Sequence, residues 1–509
     1  MIDAFHSYRM VLYVSLLLYS VKSIIYGQLN VANQLQYQIG NLPGYDPSNR
    51  SSLYNQLNMN YYSNRVGAGL RIEYFNSDEQ GQYYGKIQQK YVQYQNDVLE
   101  IQIGNFYESL GHGLLLRSYE IPGVIYEDQG SRQRYGFYKD IEGALIKVNH
   151  DHFYLKLLYG NPLDLLQPPE RNISNRRPNV IQGGELNLLF SQFISPGFLY
   201  LRSAENGEIN EFSGLNLSGN LPFGIQYYTE YVLSPAAQDH LLQLGNNGRH
   251  VYYGSVSYSY SLASISLEYK DYHDFALNFN DPPSLVREQP RTLLNRGIHV
   301  IQPQDERGFQ IEGIFNIGEL NTITANHSKA VNKYGMVEYN FYEYYLDINY
   351  SLTAKTLVKG FLDNAQDEVN NVLNRWTSGL MFEQELPMLW AASVDFQYQN
   401  YKREYNTSPE FNHKVKNYFI NLTMTHAPDL ALGFTLESAY DPLESNTLNQ
   451  IDRTGYKYWL GYNLNYQYNQ NHSFTLFYGR RRGGNACSGG ICYEVQPFKG
   501  FELRMNSIF

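Results

Sequence analysis

The sequence predicts an all-β fold: a transmembrane antiparallel up-and-down β-barrel of about 24 strands, with 22 to 26 compatible, behind an N-terminal signal peptide. Three observations predict it. Apolar and polar residues alternate with a period of two over stretches of about ten residues, the length a tilted strand needs to cross hydrocarbon. Short and long connections alternate between those stretches. The 509 residues include 49 Tyr and only 17% charged residues, which suits strands with Tyr at a membrane–water interface better than a soluble enzyme. The aromatic load excludes disorder, and two cysteines exclude a disulfide-dense or zinc-ribbon scaffold. The net charge of −10 argues against nucleic acid as a partner.

The elements follow in order. Arg9 precedes a short apolar run, Met10 to Val21, broken by Lys22. Such a run reads as the core of a secretory signal rather than a spanning helix, with Gly27–Gln28 as the cleavage point. Residues 1–27 are therefore assigned to the signal peptide and 28–509 to the barrel. The first strand sets Leu29, Val31, Leu35, Tyr37 and Ile39 against Asn30, Ala32, Gln34, Gln36 and Gln38. A second sets Leu53, Leu57, Met59 and Tyr61 against Tyr54, Gln56, Asn58 and Asn60. A late one sets Leu460, Tyr462, Leu464, Tyr466 and Tyr468 against Trp459, Gly461, Asn463, Asn465 and Gln467.

Tight turns are read at 63–65, 95–97, 149–152, 261–262, 318–321, 427–429 and 469–472. Long connections are read at 40–51, 108–140, 159–179, 234–249, 274–307, 403–416, 441–455 and 481–496. Residues 108–140 and 195–222 leave the strand count open by about two. Tight periplasmic turns and long extracellular loops mark a Gram-negative outer-membrane barrel, and an even strand number puts both termini in the periplasm. The last strand carries Phe501, Leu503, Met505 and Phe509 on one face. That pattern resembles the C-terminal signal read by the barrel-assembly machinery, which is expected as a partner together with outer-membrane lipid.

The outward set is Leu, Tyr, Phe and Met. The inward set is dominated by Asn and Gln with scattered Glu100, Glu502 and Arg504, so a wet and weakly charged lumen is expected. A circular barrel of about 24 strands would be about 45–50 Å across and needs a filling: a flattened section, infolded loops or another protein. Alternation starts directly after the signal, with no plug domain, which argues against a TonB-dependent transporter. Residues 108–140 are the internal candidate. Leu114, Leu115, Leu116, Ile121, Val124 and Ile125 make them too apolar for a solvated loop, while Arg117, Glu120, Arg132 and Arg134 are among their charges of both signs. A lumen-folded segment and a further irregular hairpin of the wall both remain open. His112, between two glycines, lacks a serine or metal partner nearby and is assigned a packing role.

Cys487 and Cys492 are the only cysteines. In an oxidising compartment, a pair this close is expected to form a disulfide that stiffens an extracellular loop, residues 479–498. Arg480, Arg481 and Arg482 at its base are read either as attracting phosphate or carboxylate groups or as paired with local acids. No catalytic constellation, metal site or cofactor site is distinct, so no enzyme activity is expected.

GNFYESLGHGLLLRSYE (Gly104 to Glu120), GRRRGG…CSGGIC (Gly479 to Cys492) and the terminal Phe together resemble an uncharacterised family of Bacteroidetes-type outer-membrane β-barrel proteins. The resemblance implies fold and localisation over essentially the whole mature chain, and no activity. Two functions stand against each other. One is a porin-like channel for small hydrophilic solutes; the other is a structural or assembly barrel holding another envelope or secretion protein.

Overall fold

A computed structural model describes residues 27–509, except 80, 129–130, 164–179, 206–207, 235–248, 284–286, 301–303, 319, 406–407, 442–444, 448–449, 452–455 and 489–490. Its main sheet has 24 antiparallel strands. Strands adjacent in sequence pair in turn, from Gln28–Asn41 with Arg50–Ser63 through to His472–Arg481 with Phe498–Ile508. The circle then closes as Phe498–Ile508 pairs with Gln28–Asn41, placing Leu35 opposite Met505 and Gly40 opposite Gly500. Closure matters because an open strand edge leaves a row of unpaired backbone donors and acceptors. Residues 195–222 resolve as two wall strands, Ser195–Glu205 and Glu208–Leu221, paired with each other.

The period-two pattern becomes two faces. In Val337–Thr353, Tyr344, Leu346, Ile348, Tyr350 and Leu352 are exposed on the outside. Between them, Phe341, Glu343, Tyr345 and Asp347 are buried inside. An apolar outer face of this kind is stable against hydrocarbon rather than water. One rim carries tight turns such as 64–65, 151–152, 261–262 and 427–429. The start of the first strand and the C-terminal Phe509 lie on the same rim, where Phe509 N–H donates to the Val31 carbonyl at 2.8 Å. The other rim carries the long connections, among them 107–140, 274–304 and 482–497, and also a tight turn, 335–336, so the expected alternation of tight and long connections is broken there.

Where the first and last strands meet, the backbones approach closely. A Cβ on Gly500 (φ 153°) would lie 2.2 Å from the Ile39 carbonyl oxygen, and one on Gly40 (φ 154°) 2.2 Å from that of Lys499. Gly479 also stands opposite Gly500 on the preceding strand, so a row of glycines crosses the seam. Such rows let a wall bend where a side chain would hold the strands apart. Gly500→Val is expected to abolish the heat-modifiable folded form on gels. Gly433→Ala, whose new Cβ would meet only ordinary contacts at 3.5 Å and beyond, should leave that form intact.

Candidate functional site

Residues 107–140 leave the wall after Leu99–Phe106 and rejoin it at Ile141–His150, a strand that pairs directly with Leu99–Phe106. The intervening segment turns inward and packs on the inner face. Leu110, Leu114, Leu115 and Leu116 are fully buried against inward-facing Leu145, Leu199, Leu201 and Val232 of the wall. Burying each of these leucines contributes about 1.5–3 kcal/mol. This contact also explains why Phe153–Pro162 and Ser195–Glu205 are apolar on both faces: one meets the outside, the other the infolded segment.

An infolded backbone must find partners for its polar groups, and wall carboxylates supply them. Gly111 N–H donates to Glu185 at 3.0 Å, and His112 N–H donates to Glu230 at 2.7 Å. Gly111 has φ 55°, and a Cβ there would lie 2.2 Å from a Glu230 carboxylate oxygen, so only glycine fits. Glu108 receives two wall lysines, Lys147 at 2.7 Å and Lys156 at 2.9 Å. The His112 ring stacks on Tyr253 with centroids 3.9 Å apart. Burial, aided by the charge of Arg117, pushes its imidazole down to about 4. It is neutral near pH 7 and fills space.

Other charged residues of this segment also have defined partners, some of them neutral. Glu120 meets Arg71 of the wall at 2.6 Å and accepts a hydrogen bond from the Tyr107 hydroxyl. Arg132 pairs with Glu127 at 2.8 Å, within the hairpin formed by Tyr119–Glu127 and Arg134–Lys139. Arg134 is buried and donates to Gln36, Gln38 and Ser52 of the first two strands. Arg117 donates its backbone N–H to Asn280 at 2.8 Å.

A second infolded segment, residues 274–304, was not anticipated. Phe275 and Phe279 join the first apolar cluster, while Leu294 of the one-turn helix Thr292–Arg296 packs on Tyr345 and Phe361. Asn280 stitches the two segments together by also donating to the Leu114 carbonyl at 2.6 Å. The signal was present in the sequence as Phe275, Leu277, Phe279, Leu293, Leu294 and Ile298, an apolar load like that of residues 108–140.

The expected disulfide is present between Cys487 and Cys492, joining Gly484–Ser488 to Ile491–Val495. The hairpin that it closes packs on the inner layer. Cys487 is buried against Ile298, Ala330 and Phe341, because the hairpin folds onto residues 274–304. Asn295 holds it there, accepting from Cys487 N–H at 2.8 Å and donating to its carbonyl at 3.2 Å. Of the three arginines at the base, Arg481 pairs with Glu502 at 3.3 Å, and Arg482 pairs with Glu437 at 2.8 Å and lies over the Trp459 ring. Among the described residues, Arg480 has no ion pair.

The expectation of a weakly charged lumen is corrected. Arg375 is buried between Glu343 at 2.8 Å and Asp363 at 3.2 Å. His299 donates to Asp367 at 2.9 Å and lies 3.4 Å from Glu306, which also meets Lys270. Along many strands, such as Val372–Glu385 with Arg375, the charges are scattered singly. They become a network only when neighbouring strands and infolded segments bring opposite signs together, and buried charges persist only when so paired.

Between the helix Thr292–Arg296, the wall and residues 482–485 there remains a cavity of about 470 Å³. Arg296, Arg375, Arg403 and Arg482 line it together with Gln399 and Asn417. Asp367 and Asp441, held by His299 and His413, supply acceptors. The cavity can exchange the hydration shell of a small polar solute for fixed donors and acceptors.

Two predictions follow from the inner layer. Burial lowers the His299 pKa, but the hydrogen bond to Asp367 and the charge of Glu306 outweigh it and raise the imidazole to about 9. The stabilisation is full below the unfolded histidine value, about 6.5, and is lost as pH rises through about 9. Protection of the amides around residue 299, corrected for the intrinsic rise of exchange with pH, should fall as pH passes about 9, and His299→Gln should remove that fall. Replacing Cys487 and Cys492 with Ser should leave the heat-modifiable barrel intact while opening 484–495 and the Thr292–Arg296 turn to protease. Loss of the whole barrel would show a wider role for the bridge.

Residues 7–204 match the profile of a family of unknown function (DUF6029). None of the curated proteins matches the chain. Among solved structures, the chain is similar to a BenF-like porin from Pseudomonas fluorescens Pf-5, with TM-score 0.38 and 10% identity over 67% of this chain and 94% of that one. It is similar to Pseudomonas aeruginosa OpdQ with TM-score 0.40 and 12% identity, over 67% and 94% of the two chains. It is also similar to Pseudomonas aeruginosa OccK2 (OpdF), solved in complex with glucuronate, with TM-score 0.39 and 12% identity over 67% and 93%.

Proposed function

We propose that this protein is a porin-like channel that passes small hydrophilic solutes across an outer membrane, with both chain termini and the tight turns on the periplasmic side. One observation carries the reading. A closed wall of 24 strands, apolar outside, encloses a lumen that its own infolded segments narrow without filling. An open circular lumen of this strand number would remove the membrane as a barrier. The infolded segments take up part of that space and leave a polar cavity of about 470 Å³ beside the wall, a size that suits small solutes. The lumen space that a second envelope protein would need is occupied by residues 107–140 and 274–304, which weighs against the assembly-barrel reading.

Purified, heat-modifiable protein in planar bilayers should give discrete conductance steps. Proteoliposomes should swell in small sugars and not in large oligosaccharides. A flat trace from folded protein, with no swelling in any solute, would reject the channel.

A further inference from the structure

The rim of tight turns is not uniform. On one side the turns are mostly polar: Arg65, Asp97, Asp151 and Asn471 are exposed there, with Val98 the apolar exception. On the other side, turns that follow one another around the rim are apolar. Residues 189–194 carry Phe190, Phe193 and Ile194; 222–224 carry Phe223; 261–262 carry Leu262; 318–320 carry Leu320; 386–389 carry Leu386, Met388 and Leu389. All of these large apolar residues are exposed. Ala354–Lys355 is the one break among these turns.

Three of these side chains are presented from backbone that disfavours them. Phe223 has φ 66°, Met388 φ 60° and Leu389 φ 63°, and they are 87%, 85% and 69% exposed. A bulky residue in the left-handed region is strained, whereas Gly and Asn adopt it readily. The same rim uses those residues elsewhere, with Asn64 at φ 51° and Gly318 at φ 74°. Exposed, strained Phe, Met and Leu make sense only against an apolar medium. The outer face of the wall indicates which one. Its apolar columns run into these turns, from Tyr258 and Tyr260 to Leu262 and from Leu221 to Phe223.

We propose that this arc of turns is a lipid-docking surface, buried in the headgroup–hydrocarbon boundary of the leaflet on the turn side. The opposite arc stays in water, so the barrel sits tilted, deeper on the side of residues 189–389. A wall whose apolar height differs around its circumference is accommodated by tilt or by local change in bilayer thickness. The proposal rests on the membrane-spanning part of the proposed function and is independent of whether the lumen conducts.

Nitroxide labels on single cysteines test it, since the native cysteines are held in a disulfide. Phe223→Cys, Met388→Cys, Asp151→Cys and Leu267→Cys are each reconstituted in phosphatidylethanolamine–phosphatidylglycerol vesicles. Collision with oxygen, which concentrates in lipid, is compared with collision with a water-soluble nickel chelate. Labels at 223 and 388 should resemble the mid-wall label at 267, with nickel access several-fold below that at 151. Nickel access at 223 and 388 equal to that at 151 overturns the proposal. Shielding from both reagents overturns it as well, because it would place protein, such as a second copy, over the arc. Nickel access at 267 would instead mean that the spanning reading itself fails. As a second variant, Phe223→Asn with Leu389→Asn suits the left-handed backbone and should fold, while a label at Leu320→Cys moves toward water. An unchanged label there counts against the arc acting as a unit.

Discussion

Strand closure is the constraint on which the rest of this structure depends. In hydrocarbon no water reaches the backbone, so each wall strand must be paired on both sides, and the first must meet the last. The seam between Gln28–Asn41 and Phe498–Ile508 meets that demand, with Gly40 and Gly500 allowing backbones to pass at distances no side chain permits. Closing 24 strands brings a second requirement. The enclosed space is far wider than wall side chains can span, so part of the chain must return through it.

The returning segments obey ordinary packing rules under an unusual condition: their solvent is the inside of the wall. Leucines of residues 110–116 meet leucines and valines of the wall, and their backbone N–H groups meet Glu185 and Glu230. Residues 274–304 repeat the arrangement on the other side, and the disulfide hairpin lies over both. Asn280 and Asn295 each join two segments through main-chain hydrogen bonds. The filling therefore behaves as a stitched layer, and a change at the bridge is felt at the Thr292–Arg296 turn. The polar cavity lies beside the points where the layer touches the wall, Gln399 donating to the Leu293 carbonyl at 3.2 Å and Asn417 accepting from Arg482 at 3.1 Å.

Much of the wall was legible because lipid imposes a strict rule on each strand separately. Alternation in the late strand Tyr456–Asn469 reads correctly from residues alone, with Leu460, Tyr462, Tyr466 and Tyr468 exposed outside and Trp459 buried inside, since each position faces either hydrocarbon or lumen. The bridge between Cys487 and Cys492 was legible from spacing and compartment. The lumen was misjudged because charge pairing is not local. Arg375 looks like one more isolated charge on its strand, yet it meets Asp363 of the preceding strand and Glu343 of the strand before that. Residues 274–304 were passed over as a loop although their Phe and Leu content carried the same signal used for residues 108–140.

By itself, the sequence determined the strand class, the approximate strand number, most of the alternation of tight and long connections and the cysteine pair, all properties set within about ten residues of chain by the period of the pleat. Only the tertiary structure decided which loops enter the lumen, which acids receive which arginines, and where a cavity remains. Those outcomes depend on residues such as Asn280 and Leu114, or Asn295 and Cys487, that lie far apart along the chain. They become neighbours only after the wall has closed around them.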